Sequence, residues 1–296
     1  MRYAQVIGAA ALSSAWLTGA DLAAAQTADP PTVAPVAVDA APTAQDGGGS
    51  GADVSPAAPA ADNSGQDPTR PLTRVDLRNK YQGDSDGVHE DIITLRADKP
   101  FVLGGGWTLG ARIDLPVTIS NAPGPHNPQK SDVFGMTDSL VQALVITPPQ
   151  GNWAFAFGGQ IVFPTGSEPQ FTTGKWQLVP TVAAVRQLSE LSPGSFVGIV
   201  ARDSFDFAGS SSRAHINIMT IQPVFNWALP QRWFATFGPE IRFDTRNDWH
   251  VFFPFDVTIG KKITNNIVAS LQADVPMIDT LKDYNWQMEA RIGFFF

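Results

Sequence analysis

The 296-residue sequence contains no cysteine. That absence removes disulfides, thiolate metal sites, cysteine nucleophiles and lipoprotein anchoring together. Charge is scarce as well. Asp, Glu, Lys and Arg make up 16% of the chain and hydrophobic residues 43%, whereas soluble domains carry about 25% charged residues. Beyond the extreme N-terminus there is no apolar run of about eighteen residues, so no helical membrane span is expected. The net charge is −8 with no basic cluster, which speaks against a nucleic-acid partner. A Gly-x-Ser-x-Gly elbow, a metalloprotease helix and a phosphate-binding glycine loop are all missing. No catalytic residue, metal or cofactor is therefore assigned, and an enzyme is not expected.

What is present begins with an address. Arg2 precedes the apolar stretch Val6 to Leu17, and Ala23-Ala24-Ala25 offers a small-residue cleavage site. Residues 1–25 are expected to be a signal peptide of an exported protein. Residues 26–71 are rich in Ala, Pro, Asp, Gly and Ser and hold no aromatic residue. Such a composition cannot bury enough surface to offset its ordering entropy, so a disordered periplasmic segment is expected there. It carries six Asp and one Arg, a net of −5, which leaves −3 for residues 72–296.

Residues 72–296 repeat one pattern. Trp107, Leu109, Ala111, Ile113, Leu115, Val117 and Ile119 alternate with Thr108, Arg112, Asp114, Thr118 and Ser120. Trp233, Ala235, Phe237, Ile241 and Phe243 alternate with Thr236, Glu240, Arg242 and Asp244 in the same way. Period-two alternation means a strand with one greasy and one polar face. About twelve such segments of roughly ten residues occur, near the length that crosses a bilayer as a tilted strand. The expectation is all-β: a transmembrane, antiparallel, up-and-down β-barrel of about 12 strands. Its apolar face meets outer-membrane lipid rather than a dry interior. The seven Trp after residue 25 support that choice. Trp107, Trp153, Trp227 and Trp233 fall at the expected periplasmic rim, and Trp176, Trp249 and Trp286 at the outer rim, as two aromatic girdles.

The final strand, "WQMEARIGFFF", keeps the alternation through Ala290, Ile292, Phe294 and Phe296. It resembles the terminal signal of outer-membrane proteins, which implies the barrel-assembly machinery as a partner. Ile292, Phe294 and Phe296 are its candidate residues. A second resemblance covers Gly135 to Phe296. The pieces "TDSLVQALVITP", "FPTGSEPQFTTGKWQLVPT", "IQPVFNWAL" and "WFATFGPEI" resemble a bacterial family of outer-membrane transporters linked to the meta-pathway of phenol degradation. The resemblance implies a barrel for small, often apolar or aromatic, molecules and no catalytic residues.

Parity places Arg112, Asp114, Glu240, Arg242, Glu289 and Arg291 on the lumen side. Charges of both signs there read either as a salt-bridged filling or as a narrow hydrated path. The favoured reading is a passive channel or transporter for a small-molecule solute. Arg112, Glu240 and Arg242 are expected to meet across its bore. Two alternatives stand beside it: an anchoring protein that uses its periplasmic tail, and an outer-membrane lipid hydrolase with His215 near Ser210, Ser211 and Ser212. The histidines His89, His126, His215 and His250 fall in or beside outer loops, and their spacing suggests no metal site.

Overall fold

The computed structural model describes residues 63–84 and 86–296. The expected signal peptide and most of the expected spacer lie outside the described residues. What is described is all-β apart from one 3-10 turn, Pro230–Arg232. Twelve strands follow one another around a closed barrel. They are β1 (Arg74–Gly83), β2 (His89–Gly104), β3 (Trp107–Ser120), β4 (Val133–Met136 and Ser139–Ile146) and β5 (Trp153–Phe163). Next come β6 (Lys175–Gln187), β7 (Phe196–Gly209), β8 (Asn217–Ala228) and β9 (Trp233–Phe237 and Ile241–Asp244). The last three are β10 (His250–Lys262), β11 (Ile267–Asp279) and β12 (Trp286–Phe295). Both segments of β4 pair with β3. Both segments of β9 pair with β8 and β10 across a break at Gly238-Pro239.

Each strand pairs antiparallel with its sequence neighbours, and β1 closes on β12 from Arg74↔Phe295 to Gly83↔Trp286. Closure leaves no free sheet edge, the condition for a sheet to survive in lipid. Alternation then fixes the faces. Along β6, Lys175, Gln177, Val179, Thr181, Ala183 and Val185 are buried while Trp176, Leu178, Pro180 and Val182 are exposed. In β12 the exposed set is Trp286, Met288, Ala290, Ile292 and Phe294. The greasy residues are thus outside, which is the membrane-barrel arrangement rather than the soluble one.

One end of the barrel has short turns, such as residues 105–106 and 263–266, and the other has loops as long as 121–132. Short turns mark the periplasmic end and long loops the outer end. The β2–β3 turn shows why the sequence reads "GGG" there: Gly104, Gly105 and Gly106 have φ of 89°, 57° and 84°. Three successive positive φ values favour residues without a Cβ.

One expectation needs correction. Asn63 to Pro71, assigned above to a disordered segment, are packed inside the periplasmic mouth. Asn63, Ser64, Asp67 and Thr69 are buried. Asp67 Oδ1 accepts from the Thr69 amide at 2.8 Å and from its hydroxyl at 2.7 Å. Asn63 Nδ2 donates to the Arg70 carbonyl at 2.9 Å. Two bonds tie this turn to the wall: Arg74 donates to the Gly65 carbonyl at 2.6 Å, and Gln187 Nε2 donates to Asp67 Oδ2, also at 2.6 Å. Leu72 packs on Phe234, Val268 and Phe295. Composition failed here because a polar turn satisfied by its own hydrogen bonds and by distant partners such as Gln187 needs no core of its own.

Candidate functional site

The strands enclose a cavity of about 670 Å³, lined from every side of the barrel and from residues 65–72 below. Arg112, Glu240, Arg242, Glu289 and Arg291 line it directly. Asp114 sits just behind Arg96, to which it is bonded through both carboxylate oxygens at 2.8 and 2.6 Å. Five of the six thus border the cavity, and Asp114 is buried behind the lining.

Their partners differ from expectation. Arg112 does not meet Glu240 or Arg242 across the bore. Its Nε lies 2.7 Å from Asp98 on the adjacent β2, because Asp98 and Arg112 stand directly opposite in the ladder. Directly opposed side chains are close enough to pair without extending into the lumen. Asp98 also takes Arg74 at 2.7 Å, Arg74 lies 3.5 Å from Asp76, and Asp76 lies 3.0 Å from Arg291. Arg78 and Glu289 add a pair at 2.6 Å. A continuous ion-pair chain thus lies across β3, β2, β1 and β12.

Asp98 was missed, although its parity with Arg96 would have found it. Asp283 was missed for a different reason, since it lies in the outer loop 280–285. That loop folds inward, burying Leu281 and Tyr284 against Phe252. Asp283 there ion-pairs with Arg242, whose guanidinium lies over the Phe252 ring at 4.5 Å. Burial pushes the Tyr284 phenol above its ordinary range.

The opposite wall is different. Between β5 and β8 the lining is Val162, Val179, Ala183, Val200, Ile216, Ile218 and Val224 among Gln, Thr and Ser, and Arg202 is the charged member. Arg202 donates to Gln222 at 2.7 Å and to Glu240 at 2.8 Å. No sequence signal singled out the aliphatic part of this wall, because Val179 and Ala183 stand beside outward residues that are apolar too.

Outside, all seven tryptophans among the described residues are exposed. Trp107, Trp153, Trp227 and Trp233 lie at the short-turn end, and Trp176 and Trp286 start strands at the long-loop end. Trp249 lies in the outer loop 245–249. Ile292 and Phe294 also face outward on β12, and the Phe296 amide bonds the Thr73 carbonyl at 2.9 Å beside β1.

Three outer histidines touch carboxylates: His89 with Asp132 at 3.1 Å, His126 with Glu168 at 3.0 Å and His215 with Asp206 at 2.8 Å. Among the described residues no three metal-type ligands cluster. Nor does a serine hydroxyl bond His215 among them; Ser210 and Ser212 bond each other at 2.8 Å. These contacts tie the outer loops to one another and to the strand ends.

The fold is shared with solved outer-membrane proteins. An outer-membrane channel of Pseudomonas putida F1 superposes with a TM-score of 0.62 at 14% identity, over 76% of this chain and 96% of that one. The KdgM porin matches at 0.49 and 10% identity, over 75% and 99%. Outer membrane phospholipase A of Escherichia coli matches at 0.42 and 11%, over 75% and 96%. At these identities the likeness is one of fold. No curated protein matches the sequence. A family model does, over residues 85–275, well over half of the chain. This outer-membrane barrel belongs to the family described as "Putative MetA-pathway of phenol degradation".

Proposed function

We propose that the barrel is a passive channel for small solutes with an apolar or aromatic body. The single observation that carries this reading is the two-sided lumen: an aliphatic wall on β5–β8 facing an ion-paired wall on β12–β3 across a cavity of about 670 Å³. An aromatic solute can lie against the first wall while its polar group stays hydrated beside the second. The family description, with its reference to phenol degradation, points to the same kind of solute. Proteoliposomes test it directly. Uptake of phenol and simple aromatic acids should exceed that of sugars of equal size, and equal uptake of both would refute the preference.

The two rows of exposed tryptophans act in this reading as headgroup girdles, and the end of β12 as the segment that the barrel-assembly machinery engages. Changing Phe296 to Asp should lower the amount of heat-modifiable barrel in outer membranes while synthesis and export continue. Unchanged levels would remove Phe296 from that role.

A further inference from the structure

Glu240 projects inward just beyond the Gly238-Pro239 break in β9, and its side chain is 41% exposed. The other ion-paired carboxylates on β1, β2, β3 and β12 are far more enclosed: Asp76 at 1%, Asp98 at 10%, Asp114 at 8% and Glu289 at 15%. Cations crowd this open carboxylate. Arg202 touches it at 2.8 Å, Arg242 follows two residues along β9, and Lys80 lines the same cavity.

The cations are under-used. Lys80 lines the cavity, and its side chain makes no hydrogen bond or ion pair among the described residues. Arg202 and Arg242 each use other nitrogens for their carboxylate pairs, and their Nε groups are buried without an acceptor among the described residues. A buried donor without a partner is costly, and cationic donors bind carboxylate oxygens most strongly. Arg202 also stands within the aliphatic wall, with Val200 beside it on β7 and Ile218 on β8.

We infer that Lys80, Arg202 and Arg242 form a carboxylate-binding subsite inside the lumen. It takes the anionic group of a small amphiphilic acid whose apolar body lies along β6–β8. Glu240 holds the place of that anion while the subsite is empty and competes with it. The inference deepens the channel reading and rests on it for the route by which the acid arrives.

The test uses the full chain in nanodiscs, with phenylacetate as the acid, phenylethanol as its uncharged counterpart and acetate as the anion without an apolar body. Saturation-transfer NMR reports binding. Lys80→Met should weaken phenylacetate about tenfold by removing a charge-assisted donor. Glu240→Gln should tighten it by a similar factor, because the internal competitor loses its charge. Neither variant should move phenylethanol by more than about twofold, and acetate should bind more weakly than phenylacetate.

A Glu240→Gln variant that fails to tighten phenylacetate overturns the subsite. So does equal binding of the acid and the alcohol, or of the acid and acetate. Lys80→Met breaks no side-chain hydrogen bond or ion pair among the described residues, and Arg202 keeps Gln222 in the Gln variant, so heat-modifiable migration should be retained by both. Single-barrel current in planar bilayers is the separate readout. Acid-selective binding without current would leave the subsite and refute passage, while current without acid-selective binding would do the reverse.

Discussion

The wall built from β1, β2, β3 and β12 and the wall built from β5 to β8 share one backbone pattern and one lipid-facing chemistry. Outside, both present aliphatic and aromatic residues: Leu77, Leu95 and Ile113 on the first, Leu178, Val182 and Ile199 on the second. Inside they diverge. The first wall is held by Arg–carboxylate pairs between adjacent strands, each fixing two long side chains in one direction. The second sets short aliphatic side chains among Gln, Thr and Ser, with Arg202 as its charged lining residue. The lipid face answers to the bilayer, which treats every strand alike. The difference between the walls therefore belongs to what the lumen holds, and it also predicts where the barrel is fragile.

The largest effect should come from the ion-paired wall. Asp76 is fully buried and joins Arg74 and Arg291, which are themselves almost enclosed. Asp76→Ala leaves both guanidinium groups without that carboxylate, and breaking such a buried pair costs about 3–5 kcal/mol. Val179→Ala on the other wall removes only methyl groups and should cost about 1–2 kcal/mol. Urea unfolding from lipid vesicles measures both. Equal losses would mean that the ion pairs are solvated ornaments, and the contrast between the walls would fall.

The next effect concerns the segment that bridges the two walls. Residues 63–72 reach the first wall through Arg74 and the second through Gln187. Strand closure uses neither bond, since β1 joins β12 from Arg74 onward. Deleting residues 63–71 should therefore leave a heat-modifiable barrel and raise its single-channel conductance several-fold by clearing the periplasmic mouth. Unchanged conductance would place the narrowest point elsewhere, with the loop carrying Asp283 as the next candidate.

The contrast between the walls also explains what could be read beforehand. Strand number, direction and outward face were legible because lipid imposes a period of two on every segment, as Trp107 through Ile119 display. Alternation also assigned charged residues such as Arg112 and Glu289 to the inner face, but it passed over Asp98. Their partners were not legible. Asp98 opposes Arg112 only once the β2–β3 register is set, and Asp283 reaches Arg242 only through a folded loop. The aliphatic wall stayed hidden because Val179 and Leu178 are neighbours of the same polarity that face opposite media. The packed turn around Asp67 was hidden by a composition that it shares with the residues before it.

The smallest effect is the most informative about the aliphatic wall. Val179→Thr exchanges a methyl for a hydroxyl at nearly constant volume. Val179 lines the cavity and is 7% exposed, so its outer methyl borders the lumen rather than a dry core. If lumen water reaches it, the new hydroxyl finds partners and stability should fall by about 1 kcal/mol or less. The same change makes the wall more polar where an aromatic ring would lie, so phenol uptake should fall by about twofold. A loss of about 2–3 kcal/mol, the cost of an unpaired buried hydroxyl, would mean that the wall is dry. Unchanged phenol uptake in that case would mean that solutes pass along the ion-paired side alone. The aliphatic residues would then be packing, and the two walls would differ in stability without differing in transport.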